Sequence, residues 1–264
     1  MNYSRSKTRS LAGMISDRHA DSLEAIVAIG DVTEDVDNFC RYVKERDGYR
    51  VLEISRVERR FGCTEAVVSM CEALGARAVP VCDPSRAGTK RRIIVNNEVL
   101  CRIDQEKQAF PIRFLHPAKV VLVVDYAKGA IDAETMQLIG QKYAGKEVIA
   151  DWHHDRPLEF YASATAIKSS WCGPPEGETR PFVWTQGSRG MSLYLDGEET
   201  NWPAMCFPPL DCCGAGDSVL AALGVGRLRG WDWLKCCQFA SEVAAEVCGV
   251  WGSVYVPSDV CREL

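Results

Sequence analysis

The sequence lacks the long apolar stretch and the leader that mark membrane and exported proteins. No run in its 264 residues reaches the ~20 consecutive apolar residues of a membrane-spanning helix. Residues 1–22 carry basic side chains but no apolar core of the length found in signal peptides. We therefore expect a protein that does not bind a membrane.

An excess of positive charge is also missing. The chain has 31 Lys and Arg residues against 36 Asp and Glu residues, which gives a formal net charge of −5. A dedicated nucleic-acid binder needs a basic face to meet the phosphates, so we expect no nucleic-acid partner. Apolar residues make up 47% and charged residues 25%. These values exclude a wholly disordered chain.

Cysteine is abundant, but the spacings that hold metals are absent. The chain has 13 cysteines, an odd number, with no C-x-x-C pair and no Cys/His spacing of the zinc type. The pairs Cys212-Cys213 and Cys236-Cys237 are adjacent, which is a poor arrangement for chelation within one element. We interpret most cysteines as small buried hydrophobes and place the protein in a reducing cytoplasm.

The chain contains no linker rich in Pro, Gly or Ser, so one domain is expected over residues 24–264. Residues 1–23 are interpreted as a tail. Their basic, Ser-containing composition is also compatible with an organelle transit peptide, but we favour a disordered tail.

Apolar strands alternate with a helical pattern in the middle of the chain. Strands are predicted at 119–124 and 147–151, with a helix over 132–144 between them. A strand, helix and strand at this spacing form a βαβ unit, which implies a parallel sheet. The other predicted elements are strands at 25–31, 78–81, 182–185, 191–195 and 253–256, a hairpin over 90–104, and helices over 62–75, 215–229 and 233–250.

The strongest local motif is DCCGAGDSVLAAL, residues 211–223. Its Gly-Ala-Gly turn runs into a helix, and glycines there let backbone N–H groups approach a ligand closely. A helix N-terminus has unpaired N–H groups and the positive end of the dipole, so it can hold an anion. The N–H groups of Ala215, Gly216 and Asp217 could then stabilise a transferring phosphoryl group, while Asp217 takes the proton of the attacking hydroxyl. Taken alone, these residues are equally compatible with a loop and an acidic first turn.

In context, this segment resembles the D-T/V-T-G-A-G-D signature of the PfkB, or ribokinase-like, carbohydrate kinases, which carry it near the C-terminus. Three further segments resemble the kinase module of D-glycero-β-D-manno-heptose-7-phosphate kinase. They are IGDVTEDVD (29–37), KRRIIVNNEVLCRIDQE (90–106) and VVDYAKGAI (123–131). The resemblance implies an α/β fold, an αβα sandwich with a mainly parallel central sheet. Residues 33–60 and 88–104 would form its small β lid.

The resemblance also implies a set of site residues. Asp217 would be the base, and Gly214, Ala215 and Gly216 would form the anion hole. The substrate-binding positions would be Asp31, Asp35, Gly62, Lys90, Arg92, Asp125 and Lys128. The nucleotide-binding positions would be Thr185, Gly187, Gly190 and Ser241, the last in place of an Asn. Lys90 and Arg92 could bind a sugar phosphate, or could form only a solvated basic turn. ATP and Mg²⁺ would be the cofactors. Whether two copies form a homodimer through the lid is left open.

Two departures from the family pattern bear on function. The Gly-Gly-x-x-Asn of the sugar site reads Gly62-Cys63-Thr64-Glu65-Ala66 here, which replaces a glycine by a thiol and removes an amide. The Asn-x-x-Glu that organises magnesium-bound water is absent from Ile167 to Trp171. No metal ligands are assigned. We interpret His153 and His154 as a loop, because adjacent residues of an extended chain point to opposite faces.

Three hypotheses for function follow. We favour ATP-dependent phosphorylation of a hydroxyl on a sugar or sugar phosphate, with a substrate like heptose 7-phosphate, because Asp217 is retained. The alternative is a catalytically impaired homologue that acts as a nucleotide-binding or sugar-phosphate-binding regulatory protein. The third is a kinase for another hydroxylated substrate, such as a nucleoside.

Overall fold

The computed structural model describes residues 25–206 and 208–252. The expected tail, 1–23, and the expected strand at 253–256 lie outside the described residues. The strands are β1 Ile26–Gly30, β2 Val32–Arg46, β3 Tyr49–Cys63, β4 Ala78–Val81, β5 Gly88–Val95, β6 Glu98–Gln105, β7 Val120–Val124, β8 Glu147–Trp152, β9 Ala166–Ser169, β10 Phe182–Thr185, β11 Met191–Leu195 and β12 Glu198–Trp202. The helices are α1 Thr64–Ala73, α2 Ala133–Lys142, α3 Ala215–Leu228 and α4 Trp233–Cys248.

An eight-stranded sheet in the order β12-β11-β10-β9-β8-β7-β1-β4 forms the centre of the molecule. Neighbouring strands are parallel along the run β4-β1-β7-β8-β9-β10. The pairs β10–β11 and β11–β12, at one edge of the sheet, are antiparallel. Strands β1 and β7 are buried along their whole length, as expected when both faces of a parallel sheet are covered. The predicted α/β class with a mainly parallel sheet is confirmed.

Two apolar cores lie on the two faces of this sheet. Ile26 and Ala28 of β1 face one core, which also contains the buried sides of α1, α3 and α4. Val27 and Ile29 face the other, which contains residues of α2. The alternation follows from the two-residue repeat of a strand. The N-terminus of α3 is thereby held against one face of the sheet, close to the ends of β7 and β8.

A second, four-stranded sheet in the order β3-β2-β5-β6 contains the segments expected to form the lid. Strands β2 and β3 are 15 residues long each. The start of β2 is buried, but the chain is exposed from Arg41 to Arg50. We call this the lid sheet. None of the described helices is long and apolar enough to cross a bilayer.

Strands β9 and β12 were not predicted from the sequence. Strand β9, AIKS, has a lysine among its apolar residues, and β12, EETNW, is polar because it lies at the sheet edge. The predicted helices are present but end earlier, since α2 ends at Lys142 and α4 at Cys248.

Candidate active site

The Gly-Ala-Gly turn forms the start of α3, as the sequence predicts. Gly214 precedes the helix with φ of 81°, a conformation that glycine adopts without strain. The Ala215 N–H donates to the Cys212 carbonyl at 3.2 Å, which closes the turn. Asp217 lies in the first helical turn and is only 7% exposed. The turn therefore presents a helix N-terminus and a buried carboxylate at one place.

Three clefts meet at this helix N-terminus. The central cleft, of about 310 Å³, is lined by Gly214, Gly216 and Asp217 together with residues at or just after the ends of β7, β8 and β9. The lid cleft, also about 310 Å³, lies between Asp217 and the lid sheet. The outer cleft, of about 380 Å³, lies between the start of α3, α4 and the loop after β10. These volumes suit small-molecule ligands.

Asp217 is the carboxylate that lines both the central and the lid cleft. The Tyr126 hydroxyl donates to its Oδ1 at 2.8 Å. Burial raises the pKa of Asp217 to about 6, although the Tyr126 bond and the Lys168 ammonium act in the opposite direction. A carboxylate with this pKa is ionised at neutral pH and remains a useful proton acceptor.

The lid cleft brings Asp35, Lys90 and Arg92 together with Asp217. Burial raises the pKa of Asp35, against the effect of Lys90 and other nearby cations. Gly62 lies behind Asp35: a Cβ atom there would stand 3.0 Å from Asp35 Oδ2 and 2.7 Å from Thr33 Oγ1. A side chain at position 62 would therefore displace both groups.

Cys63 puts a thiol into the lid cleft. Its backbone has φ of 56° and ψ of −120°, a combination that strongly favours glycine. The side chain is 2% exposed, and its Sγ lies 3.4 Å from Thr33 Oγ1. Burial raises the pKa of Cys63 to about 12, so the thiol is neutral at physiological pH. The sequence departure noted above thus changes the shape of this cleft without adding charge.

Asp31 and Lys128 do not reach the clefts beside Asp217, in contrast to the sequence expectation. Asp31 is fully buried, and its carboxylate accepts the backbone N–H groups of Tyr126, Lys128 and Ala130 at 2.9–3.0 Å. It therefore orders the turn after β7 rather than binding substrate, so the expected role of Asp31 is wrong. The Lys128 ammonium pairs with Glu106 and lines separate cavities.

Asp125 and Arg92 line the clefts, but both are already engaged by protein groups. Asp125 accepts the Tyr161 hydroxyl at 2.7 Å and the Ala127 N–H at 2.8 Å. Arg92 donates to Asp37 through Nε at 2.6 Å and Nη2 at 2.9 Å, and to Asp211 through Nη1 at 3.0 Å. Arg92 therefore joins the lid sheet to the loop before α3, which the sequence did not indicate.

All four residues expected at the nucleotide line the outer cleft: Thr185, Gly187, Gly190 and Ser241. Gly190 has φ of 94°, and a Cβ atom there would stand 2.0 Å from the Trp202 carbonyl oxygen. Only glycine fits this position. Much of the remaining lining is apolar, from Ala204, Met205, Pro209, Val219 and Ala244.

Lys168 is a central-cleft residue that sequence reasoning missed. Its side chain is 2% exposed, and its ammonium contacts both oxygens of Asp151, at 3.0 and 2.9 Å, and the Ser170 hydroxyl at 2.8 Å. The only sequence signal was a lysine inside an apolar strand.

The prediction that His153 and His154 diverge is wrong. Their ring centroids are 4.3 Å apart, and their ligand atoms lie within 4.8 Å of those of Asp155. Strand β8 ends at Trp152 and the chain turns, so the rule for extended residues does not apply. Because the His153 Nδ1 accepts the Asp155 N–H at 3.2 Å, a local turn accounts for the cluster.

The residues of the central cleft do not fit a magnesium ion held by the protein. Mg²⁺ takes oxygen ligands, carboxylates above all. Each carboxylate lining this cleft already has a donor: Asp125 has Tyr161, Asp151 has Lys168, and Asp217 has Tyr126. Within the described part of the chain, the segment 167–171, where the family pattern has Asn-x-x-Glu, instead presents the Lys168 ammonium to the cleft.

The architecture resembles that of solved kinases with the ribokinase fold. A nucleoside kinase from Methanocaldococcus jannaschii has a TM-score of 0.68 at 14% identity, covering 91% of this chain and 97% of that one. Arabidopsis thaliana ribokinase complexed with ribose and ATP has a TM-score of 0.64 at 16% identity, covering 87% and 94%. At such identities, these likenesses establish the fold.

Part of the chain is also similar in sequence to one family. Residues 171–259 match the model of the pfkB family carbohydrate kinases. Bifunctional protein HldE from Bradyrhizobium diazoefficiens is 28% identical over 233 aligned residues, covering 74% of this chain and 47% of that protein. The chain spans about half the length of the curated relatives it matches. The resemblance predicted from the sequence is confirmed.

Proposed function

We propose that the protein transfers the terminal phosphoryl group of ATP to a hydroxyl of a sugar or sugar phosphate. The observation that carries this proposal is the meeting of three clefts at the N-terminus of α3 beside Asp217. An acceptor in the lid cleft and a nucleotide in the outer cleft would both approach the central cleft. In-line transfer needs such a placement, because the protein contributes mainly position and charge.

The acceptor is proposed to resemble heptose 7-phosphate. Lys90 faces the lid cleft, with its Nζ 5.2 Å from the centroid of the Tyr126 ring. Arg102 lines the same cleft and is half exposed. These cations suit a sugar phosphate better than an uncharged sugar. Asp35 supplies a carboxylate that can accept a sugar hydroxyl.

ADP release from MgATP, measured with a panel of acceptors, tests the proposed function. The panel contains heptose 7-phosphate, hexose phosphates, free sugars and nucleosides. Release that depends on a sugar or sugar phosphate supports the proposal, and the best acceptor identifies the substrate class. Nucleoside-dependent release would instead assign a nucleoside kinase. Nucleotide binding without release from any acceptor would favour a regulatory binding protein, with Cys63 as the leading structural reason.

The reaction should slow in acid with an inflection near pH 6. Burial raises the pKa of Asp217 to about 6, and only its ionised form accepts a proton. The ionised fraction falls as pH drops through that value. We expect kcat/KM to be level above pH ~7 and about tenfold lower at pH 5. A profile measured from pH 5 to 9 that stays level below pH 6 would contradict the assignment of Asp217 as base.

We also propose that two copies associate through their lid sheets. Ile54, Val57, Val99, Leu100 and Ile103 are apolar side chains of this sheet that are 45–56% exposed. These residues lie on β3 and β6, the two edge strands of the lid sheet, and exposed apolar edge strands favour association with another chain. Sedimentation equilibrium should give twice the mass of one chain. Ile103→Lys should give single chains, and Phe114→Lys, an exposed residue outside the lid sheet, should not. A wild type that sediments as a single chain would reject the dimer.

A further inference from the structure

Lys168 places a buried positive charge at the centre of the site. An ammonium is rarely buried unless it is paired, because removing it from water is costly. Here Asp151 supplies the pairing carboxylate, and Ser170 accepts the remaining bond. Burial raises the pKa of Asp151, while Lys168 acts to lower it. The two short contacts between Lys168 Nζ and the Asp151 carboxylate hold the pair together, with the ammonium at the wall of the central cleft.

The ammonium also lies against the N-terminus of α3. A Cβ atom on Gly216 would stand 3.1 Å from Lys168 Nζ, so the ammonium packs closely against the first turn of the helix. Gly214, Gly216 and Asp217 line the same cleft. An anion bound at the helix N-terminus would therefore meet both the helix dipole and a full positive charge.

Ser170 connects this charge to the outer cleft. Its hydroxyl lies 2.8 Å from Lys168 Nζ and 2.9 Å from Thr185 Oγ1, and it lines both the central and the outer cleft. A phosphate that enters from the outer cleft would pass this hydroxyl. Lys168 could then exchange its bond to Ser170 for a phosphate oxygen while it keeps Asp151.

We propose that Lys168 is a catalytic lysine that binds the terminal phosphate of the nucleotide and stabilises its charge during transfer. This inference rests on the proposed function. In the step, the bond from the γ-phosphorus to the β,γ-bridging oxygen breaks and a bond to the acceptor oxygen forms. Asp217 takes the acceptor proton, and ADP leaves with the bridging oxygen. Lys168 acts as a point charge on the γ-phosphoryl oxygens.

The misfit of the central cleft to a protein-held magnesium ion agrees with this role. The segment that should organise metal-bound water carries an ammonium that faces the same place. A fixed positive charge can oppose the negative charge that a phosphoryl group brings, as a cation does. Lys168 therefore supplies a positive charge in the segment where the family pattern has the Asn-x-x-Glu that organises magnesium-bound water.

Nucleotide binding by titration calorimetry tests the inference without requiring turnover. The double variant Lys168→Met/Asp151→Asn removes both charges, so that no buried carboxylate is left alone. We expect it to bind ATP at least tenfold more weakly than the wild type and adenosine equally well. The single variant Lys168→Met should do the same if it folds, as judged by thermal unfolding. Lys142→Met, an exposed lysine of α2, is the matched control and should bind like the wild type.

The outcomes separate the inference from the proposed function. Equal losses for ATP and adenosine would indicate a structural role and overturn the inference, as would unchanged affinity for ATP. A wild type that binds neither ligand would overturn the proposed function itself. In the acceptor assay, loss of one electrostatic donor typically lowers kcat by about 10²–10³-fold. We expect a fall of that size for the double variant.

Discussion

Asp217→Asn should lower kcat for acceptor-dependent ADP release by about 10²–10⁴-fold, the usual contribution of a general base. An amide has nearly the same shape as the carboxylate and can keep the contact with the Tyr126 hydroxyl at 2.8 Å. It cannot take the acceptor proton. The measurement is steady-state ADP release with the best acceptor from the panel.

The control for this variant is Asp196→Asn, which makes the same chemical change at an exposed turn residue with φ of 53°. Its kcat should equal that of the wild type, since asparagine tolerates this conformation. ATP affinity should change little in Asp217→Asn, because the base is not needed to hold the nucleotide. If Asp217→Asn released ADP at the wild-type rate, Asp217 would not be the base.

Arg92→Met should reduce the free energy of unfolding by ~3–5 kcal/mol, the range observed when one partner of a buried ion pair is removed. Asp37 is fully buried, and Arg92 gives it two hydrogen bonds at 2.6 and 2.9 Å. Arg60 also donates to Asp37 at 2.5 Å. Methionine can fill the space of the arginine stem but leaves the carboxylate short of donors. Urea unfolding, followed by far-UV circular dichroism, measures the loss.

Arg102→Met provides the comparison on the neighbouring strand. Arg102 pairs with Asp104, but it is 52% exposed, so its removal should cost less than ~1 kcal/mol. If the two variants unfolded at the same urea concentration, the Arg92 pair would not support the lid sheet. A loss confined to Arg92→Met would establish that its charge serves the fold, which leaves Lys90 as the better candidate for a substrate phosphate.

The parts of the site that the sequence predicted are those built from neighbouring residues. The turn before α3 could be predicted because three consecutive residues, 214–216, set the backbone and the apolar pattern after them sets the helix. Gly187 and Gly190 were found for the same reason, since the turn they make lies between two short strands. Consecutive residues determine the backbone conformation of such a turn, so it can be recognised from a single sequence.

The parts that could not be predicted depend on partners distant in the chain. Asp31 follows a strand in the expected place, yet its carboxylate is used by N–H groups 95–99 residues later. Lys168 can be buried because it pairs with Asp151 on the adjacent strand. Position 63 was recognised as a departure, but its positive φ is set by the path from β3 into α1. Spacing in the sequence contains none of these tertiary contacts.

Asp211 ties the motif at the start of α3 to the rest of the molecule. Its carboxylate accepts Arg92 Nη1 at 3.0 Å, the Cys213 N–H at 2.9 Å and the Gly252 N–H at 3.0 Å. Arg92 is 119 positions away and Gly252 is 41, so these bonds close only when the whole chain has assembled. A short peptide with this sequence would therefore not adopt the conformation of the turn. The turn proposed to bind the anion therefore forms only when the rest of the chain has folded around it, and phosphate should bind only the fully folded protein.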